Sequence, residues 1–183
     1  MRELFFSGAT IAFAYGAIEA HPAEALCIVA NADGIMASGH AGRVRLAAGP
    51  EIERELRAQA PLLLGTSYLT GPGNLASAGV RLIAHIIASQ TPGAPVLRTE
   101  LERGLDRAFE QLSLKGMRSL AMPDIGMRIP GISVEAAAAL PVGALSRRLR
   151  LGASFERVTI VSLDRGYLQA ARDRLIALGA LDA

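Results

Sequence analysis

The segment with the clearest structural signal reads Ser119-Leu-Ala-Met-Pro-Asp-Ile-Gly-Met-Arg-Ile-Pro-Gly131. A short apolar run ends at Pro123 and Asp124, a pair of glycines then brackets residues 127–130, and a helical apolar pattern begins at Ser133. In open α/β sheets, a strand followed by a glycine loop and a helix is a common ligand site, because the loop presents backbone N–H groups to an anion. The segment therefore predicts an α/β fold in which this loop binds a phosphate-bearing ligand.

The composition predicts one folded domain that spans residues 1–183. Hydrophobic residues make up 51% of the chain and charged residues 20%, which is enough apolar material for a substantial core. The net charge of +2 is too small for a dedicated nucleic-acid surface. The uncharged stretch 4–18 is shorter than the roughly 20 residues that cross a bilayer. We therefore expect neither nucleic acid nor a membrane as a partner, and the single Cys27, in an apolar run, indicates a reduced, cytoplasmic setting.

Segments with strand character alternate with segments of helical spacing along the whole chain. Strands are predicted at residues 4–6, 10–14, 25–30, 66–70, 80–87, 120–125 and 158–163. Helices are predicted from about residue 43, and at 51–59, 99–112, 133–149 and after residue 164. This alternation predicts a mixed, mostly parallel sheet with helices on both faces.

Three helices carry local signals at their ends or within them. Thr99 and Glu102 have the spacing of a capping box, and Asp164 is placed to cap the last helix. Pro141 falls inside the helix predicted at 133–149, where a proline is expected to kink or split it.

A second glycine-containing loop follows the predicted strand 25–30. It reads Asn31-Ala-Asp-Gly-Ile-Met-Ala-Ser-Gly-His-Ala-Gly42 and leads directly into a helix. Its small residues allow close backbone approach to a ligand, and Asn31 and Asp33 could hydrogen-bond ribose hydroxyls or position a water molecule. The alternative is a turn that only caps the helix, because glycine-rich turns are common.

A third element combines a turn and a histidine. The turn Gly71-Pro-Gly73 follows Thr70, and His85 lies inside the next apolar strand. A lone histidine in a strand is more often a core residue than a catalyst.

In this order and at this spacing, the three segments resemble the macro domain family from about Gly8 to Leu175. The most specific match is Pro123-x-Ile-Gly-x-x-Ile-x-Gly131, where family members typically read Pro-Ala-Ile-Gly-Thr-Gly-Ile-Phe-Gly. The resemblance implies a three-layer α/β/α sandwich with a mixed sheet of about six strands. Family members bind ADP-ribose, and some hydrolyse ADP-ribosyl esters or deacetylate O-acetyl-ADP-ribose.

The resemblance also implies where a ligand lies. The first loop would approach the distal ribose through Ser38, Gly39, Ala41 and Gly42. The second loop would wrap the diphosphate, and its candidate ligand-binding residues are Asp124, Ile125, Gly126, Met127, Arg128, Ile129, Pro130 and Gly131. The candidates for catalysis are Asp33, Asn31 and His40.

The first part of the chain departs from the family pattern. The family's Gly-Asp-Ile-Thr is matched to residues 8–11, so Ala9 replaces the aspartate that would bond adenine. The family's Asn-Ala-Ala-Asn has two registers, one with Asn31 as its first asparagine and one with Ala30 there and Asp33 in place of the second. An aspartate that hydrolytic members often carry is Ala41 here.

The second loop departs from the pattern as well. Arg128 replaces a glycine and Pro130 an aromatic residue. Arg128 could itself pair with a phosphate, while His40 and Asp124 add titratable groups to the predicted cleft.

Three functions follow from these residues, and binding of ADP-ribose or a related nucleotide diphosphate is the leading prediction. The first alternative is an ADP-ribosyl or O-acyl-ADP-ribose hydrolase in which Asp33 or Asn31 positions a water molecule and His40 relays a proton. The second is a structural or interaction domain whose cleft is filled by Met127, Arg128 and His40. No cofactor and no metal are expected, since three histidines and one cysteine are scattered along the chain. The sequence does not predict an oligomeric state.

Overall fold

A computed structural model describes residues 2–183 and contains one mixed sheet. Its strands are β1 (Leu4–Phe6), β2 (Ala9–Tyr15), β3 (Ala25–Asn31), β4 (Ser67–Thr70), β5 (Leu82–Ser89), β6 (Ser119–Met122), β7 (Arg157–Ser162) and β8 (Leu181–Asp182). Their order in space is β4-β5-β3-β6-β7-β2-β1-β8. Strands β5, β3, β6, β7 and β2 run parallel, whereas β4, β1 and β8 are antiparallel to their neighbours. The carboxyl ends of the central strands therefore meet at one edge of the sheet, where open α/β folds place ligands.

Helices cover both faces of the sheet. They are α1 (Gly39–Ala48), α2 (Glu51–Arg57), α3 (Arg98–Leu114), α4 (Val134–Arg150) and α5 (Arg165–Ala177), with short 3-10 turns at Ile18–Ala20 and Gly73–Ala78. Helices α1 and α2 pack on one face, and α3, α4 and α5 pack on the other. The predicted three-layer α/β/α sandwich is confirmed, although the sheet has more strands than the six that the resemblance implied. None of the helices within residues 2–183 has the length and apolar character needed to span a bilayer.

The core explains why the central strands were visible in the sequence. Strand β3 lies between two other strands and between the two helical layers, so nearly all of its side chains are buried. Such a strand has a continuous apolar run instead of alternating polarity. Leu26 and Ile28 of β3 pack toward α1 and α2, while Ala25 and Cys27 pack toward α3, α4 and α5.

Of the local helix predictions, the capping box is wrong, the cap at Asp164 is confirmed, and the split that was one of the two outcomes expected at Pro141 does not occur. Helix α3 begins at Arg98, one residue before Thr99, so the predicted capping box does not form. Pro141 lies inside α4 without splitting it, because its helix face is buried and packing outweighs the loss of one backbone hydrogen bond. Asp164 caps α5, since its Oδ1 accepts hydrogen bonds from the N–H groups of Gly166 and Tyr167 at 2.7 and 3.2 Å.

Candidate functional site

A pocket of about 150 Å³ lies at the carboxyl ends of β3 and β5. Its walls are the first loop with the start of α1, the segment that follows β5, and the side chain of Arg128. Within residues 2–183, no aspartate or glutamate lines the pocket. The volume is about half of the roughly 300 Å³ at the lower end of small-molecule sites.

The start of α1 gives the pocket a positive end. The N–H groups of Gly39, His40 and Ala41 make no hydrogen bond to any described residue, and the first backbone bond of the helix runs from Gly42 N to Ser38 O at 3.0 Å. The Ser38 side chain does not cap the helix, and the first turn carries no acidic residue. Unpaired amides and the helix dipole together favour an anion at this position.

Charged and hydroxyl side chains complete the lining. The exposed guanidinium of Arg128 forms no ion pair or hydrogen bond with residues 2–183, so it is available to a ligand. The hydroxyls of Ser38 and Ser89 also lie on the pocket and have no partner among the described side chains. The pocket therefore suits an anion that also carries hydroxyl groups.

A chain of hydrogen bonds runs from the pocket toward β7. His40 Nε2 lies 2.6 Å from Asp124 Oδ1, and Arg43 Nη2 lies 2.7 Å from His40 Nδ1. Because a guanidinium can only donate, His40 Nδ1 accepts from Arg43, and the ring proton is on Nε2, which donates to Asp124. Ser162 Oγ donates to Asp124 Oδ2 at 2.6 Å, and Arg43 Nε lies 3.3 Å from Glu19 Oε1.

The electrostatics of Asp124 follow from these contacts. Burial alone would raise the pKa of the Asp124 carboxyl, but hydrogen bonds from His40 and Ser162 and the charge of Arg43 outweigh it. The pKa of Asp124 therefore lies below its ordinary value, and the carboxylate is ionised at neutral pH. His40 and Ser162 thus hold both oxygens of Asp124, which is not among the residues that line the pocket.

The structure separates the predicted residues of the first loop. Asn31, Ser38, Gly39, His40 and Ala41 line the pocket. The side-chain amide of Asn31 is already used, since its Nδ2 donates to Ile35 O at 2.8 Å and its Oδ1 accepts from Ile35 N at 3.2 Å. Asp33 is exposed and outside the lining. Gly42 is not among the lining residues, and a Cβ added at Gly42 would lie 3.1 Å from Ala37 O.

Of the second loop, only Arg128 reaches the pocket. Ile125 is buried, and Gly126 has a φ of +100°. Met127 and Ile129 pack against the apolar core between the sheet and helices α3, α4 and α5. Pro130 and Gly131 are exposed and outside the lining. A turn within the loop bonds Ile129 N to Gly126 O at 3.0 Å. That this loop wraps a diphosphate stays a prediction.

The match of the family's Gly-Asp-Ile-Thr to residues 8–11 is wrong. Ala9 is fully buried at the amino end of β2. The pocket lies at the carboxyl ends of the parallel strands, so Ala9 and the pocket are at opposite edges of the sheet. Residues 16–19 read Gly-Ala-Ile-Glu and leave β2 at the same edge as the pocket. The place where a strand ends, more than the motif letters, was the signal that could have shown which residues of this part of the chain lie near the pocket.

Four participants were absent from the predicted site, namely Glu19, Arg43, Ser89 and Ser162. Glu19 follows β2, and Ser89 and Ser162 end β5 and β7, so their places at the carboxyl edge of the sheet are the signal that could have found them, whereas Arg43 lies within α1. Ser162, for example, pairs with Tyr15 at the ends of the parallel strands β7 and β2.

Tyr167 fixes the start of the second loop. Its buried Oη donates to Ile125 O at 2.9 Å. We expect Tyr167→Phe to lower the free energy of unfolding by about 1 to 2 kcal/mol, because it leaves a buried carbonyl without a donor. Urea denaturation measures the effect, and Tyr15→Phe, at a 54% exposed side chain, is the control expected to change little. Equal stability of the two variants would contradict this role.

Comparison with known proteins identifies the family of this fold. A sequence model of the Macro domain family matches residues 29–140, which include the residues that line the pocket and the whole second loop. The chain belongs to the macro domain family. An uncharacterized protein of Aquifex aeolicus is 28% identical to this macro domain over 155 residues, or 85% of this chain and 91% of that protein. An uncharacterized protein of Mycobacterium tuberculosis is 32% identical over 74% of this chain, which matches only 36% of that longer protein.

Solved structures share the fold. A macrodomain of Oceanobacillus iheyensis with ADP superposes with a TM-score of 0.81 at 20% identity, over 96% of this chain and 95% of that one. A macrodomain of Trypanosoma brucei in complex with ADP-ribose gives a TM-score of 0.76 at 17% identity, over 90% of this chain and 68% of that one.

Proposed function

We propose that this macro domain binds ADP-ribose or a related phosphorylated ribose compound in the pocket between the ends of β3 and β5. The observation that carries the proposal is that the α1 amides and the Arg128 guanidinium, which have no partner within residues 2–183, converge on a pocket that no acidic residue of this range lines. The related folds that hold ADP and ADP-ribose support a ligand of this class.

The chemistry of the lining assigns parts of the ligand. A phosphate at the start of α1 accepts hydrogen bonds from the amides of Gly39, His40 and Ala41 and pairs with Arg128. Ribose hydroxyls bond to the hydroxyls of Ser38 and Ser89. The small residues Gly39 and Ala41 let a phosphate come close to the backbone. A Cβ added at Gly39 would meet no protein atom within 4 Å, and a larger side chain at Ala41 would narrow the pocket.

Removing the charge of Arg128 tests the proposal. We expect Arg128→Gln to weaken the binding of ADP-ribose, or of ribose 5-phosphate, by roughly 10-fold or more, because a charge-assisted bond to phosphate contributes about 1.5 to 3 kcal/mol. Isothermal titration calorimetry measures the affinities. Arg174→Gln is the matched control, since Arg174 is an exposed arginine of α5 outside this pocket. If the wild-type protein gives neither heat nor a thermal shift with millimolar ligand, the proposal fails.

The hydrolase hypothesis has less support from the site. Asp33 lies outside the lining, the Asn31 amide is held by Ile35, and Ala41 stands where hydrolytic members often have an aspartate. Both ring nitrogens of His40 already have partners. Release of ADP-ribose from an ADP-ribosylated protein, compared between wild type and Asp33→Ala, tests the alternative.

A further inference from the structure

Hydrogen bonds and one ion pair connect side chains across the carboxyl edge of the sheet at His40. The connected residues are Glu19, Arg43, His40, Asp124 and Ser162, with Glu19 joined to Arg43 by the ion pair alone, and we call them the cross-cleft network. Glu19 lies just after β2, Arg43 and His40 lie in the first turns of α1, Asp124 follows β6, and Ser162 ends β7. The network thus joins the exits of three strands to the start of one helix.

The pocket lies entirely on one side of this network. Its lining comes from β3, the first loop, the start of α1, the segment after β5, and Arg128. Within the described residues, β2, β7 and α5 contribute nothing to it. His40 and Arg43 line the pocket, whereas Asp124 and Ser162, which continue the network toward β7, do not. A ligand that extends from the pocket toward β7 therefore meets the His40–Asp124 pair.

The contacts of the network favour the closed arrangement. His40 is held from both sides, by Arg43 at 2.7 Å and by Asp124 at 2.6 Å. The side chain of Asp124 is only 17% exposed, and its second oxygen is held by Ser162. Ser162 Oγ in turn accepts from Asp164 N at 2.9 Å, which ties the network to the start of α5. A ligand that opens the pair leaves a largely buried carboxylate without its strongest donor.

The space that remains matches a small ligand. The pocket has a volume of about 150 Å³, with the α1 amides and Arg128, which have no partner within residues 2–183, for one phosphate and Ser38 and Ser89 for a sugar. A purine nucleoside attached through a second phosphate has no space on this side of His40.

We infer that the His40–Asp124 pair determines the ligand specificity of this pocket. The pair acts as a closure: the pocket admits a phosphorylated ribose and excludes the nucleoside half of a larger ligand. This inference rests on the proposed function, because it concerns the same pocket. His40 and Asp124 act here by excluding part of a ligand and not by reacting with it.

The experiment compares two ligands in four proteins. Ribose 5-phosphate and ADP-ribose are titrated calorimetrically into wild type, Asp124→Ala, Asp124→Asn and His40→Ala. We expect wild type to bind ribose 5-phosphate at least as tightly as ADP-ribose. Asp124→Ala and His40→Ala are expected to shift the ratio of the two affinities at least 10-fold toward ADP-ribose. Asp124→Asn keeps an acceptor for His40 Nε2–H and is expected to keep the wild-type ratio.

The failures of the inference and of the proposed function are distinguishable. If wild type binds ADP-ribose more than 10-fold tighter than ribose 5-phosphate, in an Arg128-dependent manner, the proposed function stands and the closure is wrong. An unchanged ratio in Asp124→Ala and His40→Ala also overturns the closure. If no variant binds either ligand, both proposals fail.

A ligand-free measurement keeps the closure testable where a variant does not fold. We expect ¹⁵N spectra of the wild-type protein to show His40 with its proton on Nε2, and far-UV circular dichroism to show which variants fold. A His40 ring with its proton on Nδ1 would overturn the closure, because that form cannot donate to Asp124 while accepting from Arg43.

Discussion

Replacing Gly126 with alanine will lower the free energy of unfolding by about 2 to 4 kcal/mol and weaken ligand binding. Gly126 has a φ of +100°, and a Cβ there would lie 2.9 Å from Ala137 O and 3.3 Å from Ala137 Cα. The atoms in the way belong to the backbone of α4, which cannot move aside as a flexible side chain can. Arg128 follows two residues later, so the displaced loop carries its guanidinium away from the pocket.

Gly131→Ala is the matched control in the same loop. Its φ of +71° is also strained for alanine, but a Cβ there meets nothing within 4 Å. We expect a cost of about 1 kcal/mol from the backbone conformation alone. Urea denaturation of both variants, with calorimetry on the folded fraction, separates the two contributions. A Gly126→Ala protein that is as stable as Gly131→Ala would show that α4 does not restrict the loop.

Acid will destabilise the protein through His85 before its carboxylates titrate. His85 is fully buried in β5, and burial lowers its pKa from 6.5 to about 3. Its Nε2 lies 2.9 Å from Thr70 Oγ1, while Nδ1 has no partner among the described residues. Below pH 6.5 the unfolded chain gains a proton at this residue and the folded chain does not, so the free energy of unfolding falls as the pH falls.

The expected slope is about 1.4 kcal/mol per pH unit, which gives a loss of about 2 to 3 kcal/mol between pH 6.5 and pH 4.5. The lowered pKa values of Asp124 and Glu24 place their contributions at more acidic pH, so the window from 6.5 to 5 reports mainly on His85. Urea denaturation across this window measures the slope. In His85→Gln, which cannot titrate, the slope should largely disappear. A wild-type profile that is flat in this window would contradict the prediction.

The fold class was predictable because its signals are local and repeated. Strands such as β3 and β5 are buried on both faces, so their apolar runs stand out in the sequence. The Asp164 cap was predictable for the same reason, since the carboxylate and the amides that it accepts from lie within three residues. Strand β8 was not predictable, because its two exposed residues form a strand only by pairing with β1.

The candidate site was predictable only as a pair of loops. Motif letters matched Ala9 to a ligand position, although β2 carries this residue to the far edge of the sheet. The same letters included Asp33, which is exposed and outside the pocket, and missed Ser89, which lines it. Which side chains of a loop face a pocket depends on turns and on the packing of the next helix, and neither is written in the loop alone.

The sequence by itself determined that this chain is a layered α/β domain with glycine loops at the exits of its strands, because burial patterns and glycine positions are properties of short segments. Only the tertiary structure decided what those loops offer to a ligand. It brought His40 within 2.6 Å of Asp124 across 84 residues of chain, and it placed Arg128 at the same pocket as the start of α1 with no side-chain partner among the described residues. Hydrogen bonds and charges between distant residues depend on distances that exist only once the sheet has formed.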